Sequence, residues 1–352
     1  MASLRVALIG YGLAGRFFHA PLIAATEGMA VATVVTSDAD RRAQVEREHP
    51  GARVVATAAE LWQRPAHDLV VVASPNATHA PLALEAIAHG TAVVVDKPLA
   101  VSAADAEAVV HRAERAGVLL TVFQNRRWDS DHLTLMRLLS EGQIGEVLRY
   151  ESRFERWRPT ADPAEWRSVA PEEGGGQLLD LGAHLVDQAI VLFGPVTHVY
   201  AEIASVRGLA ADDDAFVALR HAGGTISHLR ASAVTAAPGP RLRVLGTKAA
   251  YVTIGLDSQE AELRAGRRPD TEPAWGSEPK SAWGHLRTGE EAVVVPSERG
   301  AWPRFYELLG AARRDGTPPP VDPHDAVQTL SIIELARHSA ATRQVLSTRT
   351  AA

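Results

Sequence analysis

Two stretches of this 352-residue chain hold side chains whose types and spacing suit proton transfer and charge stabilisation. In GGGQLLDLGAHLVDQ (174–188), Asp180, His184 and Asp187 interrupt an otherwise apolar, helix-like run. Positions i, i+4 and i+7 share one face of an α-helix, so the three are expected to point the same way. An imidazole between two carboxylates can exchange a proton near neutral pH. A capped helix with a satisfied core histidine would use the same residues, so a second constellation is needed. TAVVVDKPLA (91–100) supplies one, ending an apolar strand with Asp96-Lys97-Pro98. Pro98 restricts the backbone before it and cannot donate a ladder hydrogen bond, which places Lys97 at a rigid break in the strand.

A third motif names a ligand. RVALIGYGLAGRFFHAPLI places Gly10, Gly12 and Gly15 in G-x-G-x-x-G spacing between a strand and a helix. Gly10 permits a tight turn, Gly12 lets a pyrophosphate approach the backbone beside Leu13, and Gly15 allows close helix-to-strand packing. The helix start then offers N–H groups and a positive dipole end to phosphate. The next strand ends VVTSDADRR. Ser37 takes the place where a carboxylate grips the ribose diol of NAD, leaving room for a 2′-phosphate that Arg41 or Arg42 could reach. Asp38 argues the other way, as a ribose ligand of its own. The balance tips slightly towards NADP(H) over NAD(H).

The elements that position these residues follow from hydrophobic periodicity. Near-continuous apolar runs at 4–9, 31–36, 69–73, 92–95 and 119–123 read as strands covered on both faces. Helical patterns at 13–25, 38–48, 78–89 and 102–116 alternate with them, with Gly90 and Gly117 as stops. This is the α/β signature of a doubly wound parallel sheet, a Rossmann domain over residues 1–124. Residues 125–352 change character. Strand patterns at 147–157, 196–207, 215–220, 225–232, 241–245 and 251–254 predict a mainly antiparallel, open-faced sheet in an α+β domain with a helix at 131–141 and the glycine-led helix of the 174–188 stretch. Residues 266–300 read as a long irregular excursion, and helices at 302–314 and 322–342 close the chain, packing back near the first domain.

Composition sets the remaining bounds. A formal charge of −6 with no basic stripe excludes a phosphate backbone as partner. No run approaches the length of a membrane span, and the start of the chain lacks a secretory pattern, so a cytoplasmic protein is expected. Zero cysteines exclude disulfides and thiolate metal sites. The Asp180/His184/Asp187 stripe needs no metal once a lysine and a nucleotide serve the same site, so none is expected.

Together, Gly10-x-Gly12-x-x-Gly15, SPNATH (74–79), DKP (96–98) and GGGQLLDLGAH (174–184), in that order and separation, resemble the glucose-fructose oxidoreductase / inositol dehydrogenase / rhizopine catabolism (Gfo/Idh/MocA) family of NAD(P)-dependent oxidoreductases. QNRRWDSD (124–131) and VLGTKAAYVTIGLDSQEAELRAG (244–266) further resemble its scyllo-inositol 2-dehydrogenase branch. The resemblance implies a dehydrogenase acting on CH–OH groups of a cyclic polyol or sugar, its site in the cleft between the two domains, its subunits paired as a homodimer or homotetramer. It assigns Lys97, Asp180 and His184 as catalytic, and it runs Ser74, Asn76 and His79 beside the cofactor, although His79 could equally be a helix-start residue. His184 would take the hydroxyl proton, with Asp180 orienting it, while Lys97 donates to the substrate oxygen. Asn125, Arg126, Trp128 and Arg158 are candidates for further hydroxyls. A nucleotide-dependent sensor on the same fold and a glycoside-cleaving enzyme with retained NAD are the alternatives.

Overall fold

β-Branched runs buried on both faces build the first sheet, and the computed structural model describes them within residues 3–63, 67–163 and 165–348. Strands β1 (Leu4–Ile9), β2 (Met29–Val35), β3 (Arg53–Val55), β4 (Leu69–Val72), β5 (Ala92–Asp96) and β6 (Leu120–Phe123) are all parallel, in the order β3-β2-β1-β4-β5-β6. The order reverses direction between β1 and β4, where the carboxyl ends of a doubly wound sheet leave a crevice. Helices α1 (Ala20–Ala25), α2 (Ala39–Glu48), α3 (Ala58–Trp62), α4 (His79–Ala88) and α5 (Ala103–Ala116) link the strands. The last of these shows the local logic. Ser102 caps its start by accepting from the Asp105 N–H, Ala106, Val109, Val110 and Ala113 form its buried stripe, and left-handed Gly117 ends it.

Two departures from the sequence reading occur here. The helix expected over 13–25 opens as a widened π turn, Gly15–His19, before α1. Short β3 and α3 were not anticipated, because three to five residues are too few to show a period.

The second sheet has nine strands: β7 (Val147–Glu155), β8 (Val196–Ala204), β9 (Asp214–His221), β10 (Ile226–Ser232), β11 (Leu242–Gly246), β12 (Ala250–Thr253), β13 (Gly284–Thr288), β14 (Glu291–Val295) and β15 (Leu346–Ser347), ordered β14-β13-β12-β11-β7-β10-β9-β8-β15. Pairing is antiparallel except between β7 and β10. In β9, Ala215, Val217 and Leu219 are buried while Phe216, Ala218 and Arg220 alternate outward. The buried face takes α7 (Ala183–Phe193), whose Leu185 and Val186 share an apolar seam with Ala215, Val217, Leu229 and Ala231. Helices α6 (Ser130–Ser140), α8 (Gln259–Arg264), α9 (Pro303–Asp315) and α10 (Pro323–Thr342) complete the chain. The stretch 266–300 is not wholly irregular, since it contains the β13–β14 hairpin. Its strand signal is one-sided: only Val295 of β14 is buried, so no inward period marks it.

Contacts sort the chain into two compact units, one of Met1–Asn125, Gln259–Trp275 and Ala301–Val327, the other of Arg126–Ser258, Gly276–Gly300 and Gln328–Ala352. Among the described residues, no helix is long and apolar enough to cross a membrane.

Candidate active site

In the first unit, the glycine loop is tight on one side and open on the other. Gly10 has φ +98°, and a Cβ there would lie 2.5 Å from the Ala73 carbonyl oxygen; one at Gly15 would run into the Gly10 carbonyl. A Cβ at Gly12 would meet only the Arg41 guanidinium, at 3.8 Å. Gly10 and Gly15 therefore serve the packing of the loop, and Gly12 keeps its outer face clear, which fits a pyrophosphate approaching the backbone. Tyr11 is buried between them and donates to Glu48 at 2.7 Å, as does the Arg16 guanidinium at 3.0 Å, tying the loop to the end of α2. Burial, reinforced by the Glu48 carboxylate, pushes the Tyr11 hydroxyl pKa up.

Asp38 is occupied as the N-cap of α2: its Oδ1 accepts from the Arg41 N–H at 3.0 Å and its Oδ2 faces Arg41 Nε at 3.7 Å. Arg41, Arg42, Ser37 and Leu13 are all exposed, and of the two candidate arginines it is Arg41 that lies by Gly12. The donor set fits a dinucleotide, and Arg41 is the cation available to a phosphate beside that loop.

The SPNATH and DKP segments meet in the same unit. Asp96 Oδ1 accepts the Lys97 N–H at 2.9 Å. His79, the first residue of α4, is buried, with Nδ1 2.7 Å from the Pro98 carbonyl and Nε2 2.8 Å from the Ser74 carbonyl. Its ring thus braces the two loops against each other, in keeping with the helix-start alternative for His79, while Ser74 and Asn76 are half-buried. Behind Asp96 lies buried His19, Nε2 3.7 Å from Oδ1, with Nδ1 2.6 Å from the Tyr306 hydroxyl. Burial would raise the Asp96 pKa, but His19, Lys97 and His79 together hold it below the usual carboxylate value.

The second unit holds the glycine-led helix. Residues Leu178–Gly182 form a π turn that runs into α7, so the regular α spacing expected between Asp180 and His184 is replaced by a wider one. The stripe is buried all the same: Asp180, His184 and Asp187 are 6%, 5% and 2% exposed. Each acid is met by an arginine. Arg167 Nε donates to Asp180 Oδ2 at 2.6 Å, and Arg127 donates to both Asp187 oxygens at 2.6 and 2.8 Å. Burial disfavours the charged Arg167, but Asp180 and Glu165 outweigh it and raise its pKa.

His184 lies edge-on to Phe154 at 6.3 Å between centroids, and Phe154 also carries the Arg126 and Arg241 guanidinium groups at 4.7 and 4.1 Å. Arg241 pairs with Asp131 at 3.0 Å and donates to Gln188 at 3.1 Å, while Gln188 donates to the Arg126 carbonyl at 2.8 Å.

Asn125, Arg126 and Trp128 form a 3₁₀ turn, with Arg126 buried against Asp129 at 3.2 Å. Arg158 does not join this group. It is exposed and its carbonyl accepts from Arg207, while the arginines that reach the stripe are Arg167 and Arg127. Arg167, Arg127, Arg241, Gln188 and Asp212 escaped the sequence reading, since no spacing relates them to their partners. Lys97 thus stands with the nucleotide loop in the first unit, and Asp180 and His184 stand in the second.

Comparison with known proteins identifies the family. Residues 4–124 match the oxidoreductase family with NAD-binding Rossmann fold, and residues 132–252 match the GFO/IDH/MocA C-terminal domain. The chain is 33% identical over 350 residues to scyllo-inositol 2-dehydrogenase (NADP(+)) IolW of Bacillus subtilis, covering 98% of this chain and 96% of that protein. It is 39% identical to the oxidoreductase YdgJ of Escherichia coli over 98% of both. The solved structure of yvaA from Bacillus subtilis superposes with a TM-score of 0.90 at 30% identity, covering 98% of this chain and all of that one. With both domains matched by family models and relatives similar over nearly the whole chain, the chain belongs to the Gfo/Idh/MocA family of NAD(P)-binding oxidoreductases.

Proposed function

We propose that this enzyme oxidises a secondary alcohol of a cyclic polyol with NADP+ as the favoured cofactor, and that scyllo-inositol and its keto form are the substrate pair. The observation that carries the reading is the end-to-end similarity to IolW in a chain that retains Lys97, Asp180 and His184 together. Arg41 beside Gly12, with Asp38 held as a helix cap, supports NADP+ over NAD+.

When bound, the nicotinamide cofactor supplies the acceptor for the hydride that leaves the carbinol carbon. His184 takes the hydroxyl proton, so that hydride and proton leave the alcohol together as the carbonyl forms. Asp180 holds the charged imidazole that results, and Lys97 donates a hydrogen bond to the oxygen while charge develops there. Arg126, Asn125 and Trp128 are assigned to the remaining hydroxyls, and His79 acts by holding the DKP turn. The outward face of the nine-stranded sheet, carrying Phe216, His228 and Arg230, is the surface assigned to pairing in a homodimer or homotetramer, which sedimentation would check.

The test is a cofactor-reduction screen of scyllo-inositol, myo-inositol, glucose and cyclohexanol with NAD+ and NADP+ in parallel. Polyols should outpace cyclohexanol by up to about 10⁴-fold, because a site built to hydrogen-bond several hydroxyls is left with unpaired groups when they are missing. Equal rates with cyclohexanol would defeat the polyol reading; oxidation of glucose alone would keep the chemistry and replace the substrate.

A further inference from the structure

The three glycines before the Asp180 helix admit a loop, and that loop delivers a cation. A Cβ at Gly175 would collide with the Val169 carbonyl, and one at Gly176, φ +102°, would collide with the Asp212 carboxylate. Both close approaches are used. Gly175 and Gly176 donate their N–H groups to the carbonyls of Ala170 and Arg167 at 3.2 and 3.1 Å. Asp212 accepts from the Leu178 N–H at 2.7 Å, capping the π turn. The segment 165–170 is thereby latched to the start of the helix. Its Arg167 reaches forward one turn to Asp180 at 2.6 Å, while Glu165 at 2.8 Å and the Trp166 ring at 4.2 Å flank the guanidinium.

A cation in that position fixes a carboxylate in two ways. It holds the group ionised in a buried setting, where an unpaired charge would be costly, and through the directional Nε–H it fixes which oxygen faces away. We propose that Arg167 is a positioning residue for the reaction, acting through Asp180, and that Gly175 and Gly176 exist to deliver it. This rests on the assignment of Asp180 to the reacting site. Arg167 itself need not touch the substrate; the rotamer and charge of Asp180 depend on it. Lysine, with its point charge and no planar fork, would substitute in part.

The experiment is a double-mutant cycle with scyllo-inositol and NADP+ as probes: Arg167→Ala, Arg167→Lys, Asp180→Asn and Asp180→Asn with Arg167→Ala, each checked for its melting temperature and its Kd for NADP+. The expected result is a fall in kcat of about thirtyfold in Arg167→Ala, with NADP+ affinity within about twofold of the parent. Arg167→Lys should recover part of the loss, and millimolar guanidinium should raise the rate of Arg167→Ala. In the double variant, loss of Arg167 should cost nothing beyond the loss from Asp180→Asn, because the arginine has no other route to the reaction. Additive losses, or parental kcat in Arg167→Ala beside an impaired Asp180→Asn, would overturn the inference and leave the assignment of Asp180 standing. Parental turnover in Asp180→Asn would overturn both.

Discussion

The two glycine clusters look alike in the sequence and do opposite things in the molecule. Around Gly10, Gly12 and Gly15 the chain packs against itself so that one face of backbone stays open. Around Gly175 and Gly176 the space is filled, by a neighbouring loop and by Asp212. The first cluster leaves main-chain groups facing open space, as the proposed pyrophosphate site requires. The second builds one from side chains, whose partners come from the chain. A substitution at Gly12, on the open face, should therefore act on affinity, and those at Gly175 and Gly176 on stability and turnover.

The largest effects are expected at the side chains proposed to react. Lys97→Ala and His184→Ala should each lower kcat by about a hundredfold or more while leaving NADP+ binding intact, as loss of an electrostatic or acid–base group does. Near-parental turnover in both would remove the mechanism. Gly175→Ala comes next: its Cβ meets backbone at Val169, which cannot yield cheaply, so a loss of about 2–3 kcal/mol in denaturant unfolding is expected, together with slower turnover. An unchanged midpoint would show that the latch is soft.

Gly12→Val should invert the pattern. Its side chain has space in the free protein, so the melting temperature should hold while NADP+ affinity falls about thirtyfold in calorimetry, by obstruction of the pyrophosphate. A parallel loss of stability would end the contrast between the clusters. Arg41→Ala should be milder and selective, weakening NADP+ by about tenfold and NAD+ little, since one charge-assisted contact is lost. If NAD+ is strongly preferred in the parent and Asp38→Ala abolishes that preference, Asp38 is the ribose ligand instead.

The smallest effect concerns His132, buried on α6 beside the Arg241–Asp131 pair. Burial holds its pKa down to about 4; Asp131 opposes this, and Arg127 and Arg241 add to it. A histidine whose folded pKa is depressed stabilises the fold above the unfolded value near 6.5, and that stability is lost as pH falls towards 4. About 1 kcal/mol should disappear between pH 7 and pH 5.5, and His132→Gln should flatten the slope. A parental slope in His132→Gln would place the acid sensitivity elsewhere.

What could be read in the chain were the demands of backbone geometry. Gly10-x-Gly12-x-x-Gly15, the Asp96-Lys97-Pro98 turn and the glycine-led helix each impose a local conformation that few residue types satisfy, so their presence is visible at short range. Five of the six parallel strands were legible because burial on both faces leaves an unbroken apolar run, while three-residue β3, with only Val55 buried, was not. Weak periods failed in the same places for physical reasons: β14 buries one residue of five, and a π turn has a repeat that no α-helical template matches. Tertiary structure decided which charges meet. Arg167 finds Asp180 across 13 residues, Arg127 finds Asp187 across 60, and Arg158 finds neither. Arginine's long stem lets it serve wherever the fold sets it down, so its partner is a property of the folded packing and cannot be found from position along the chain.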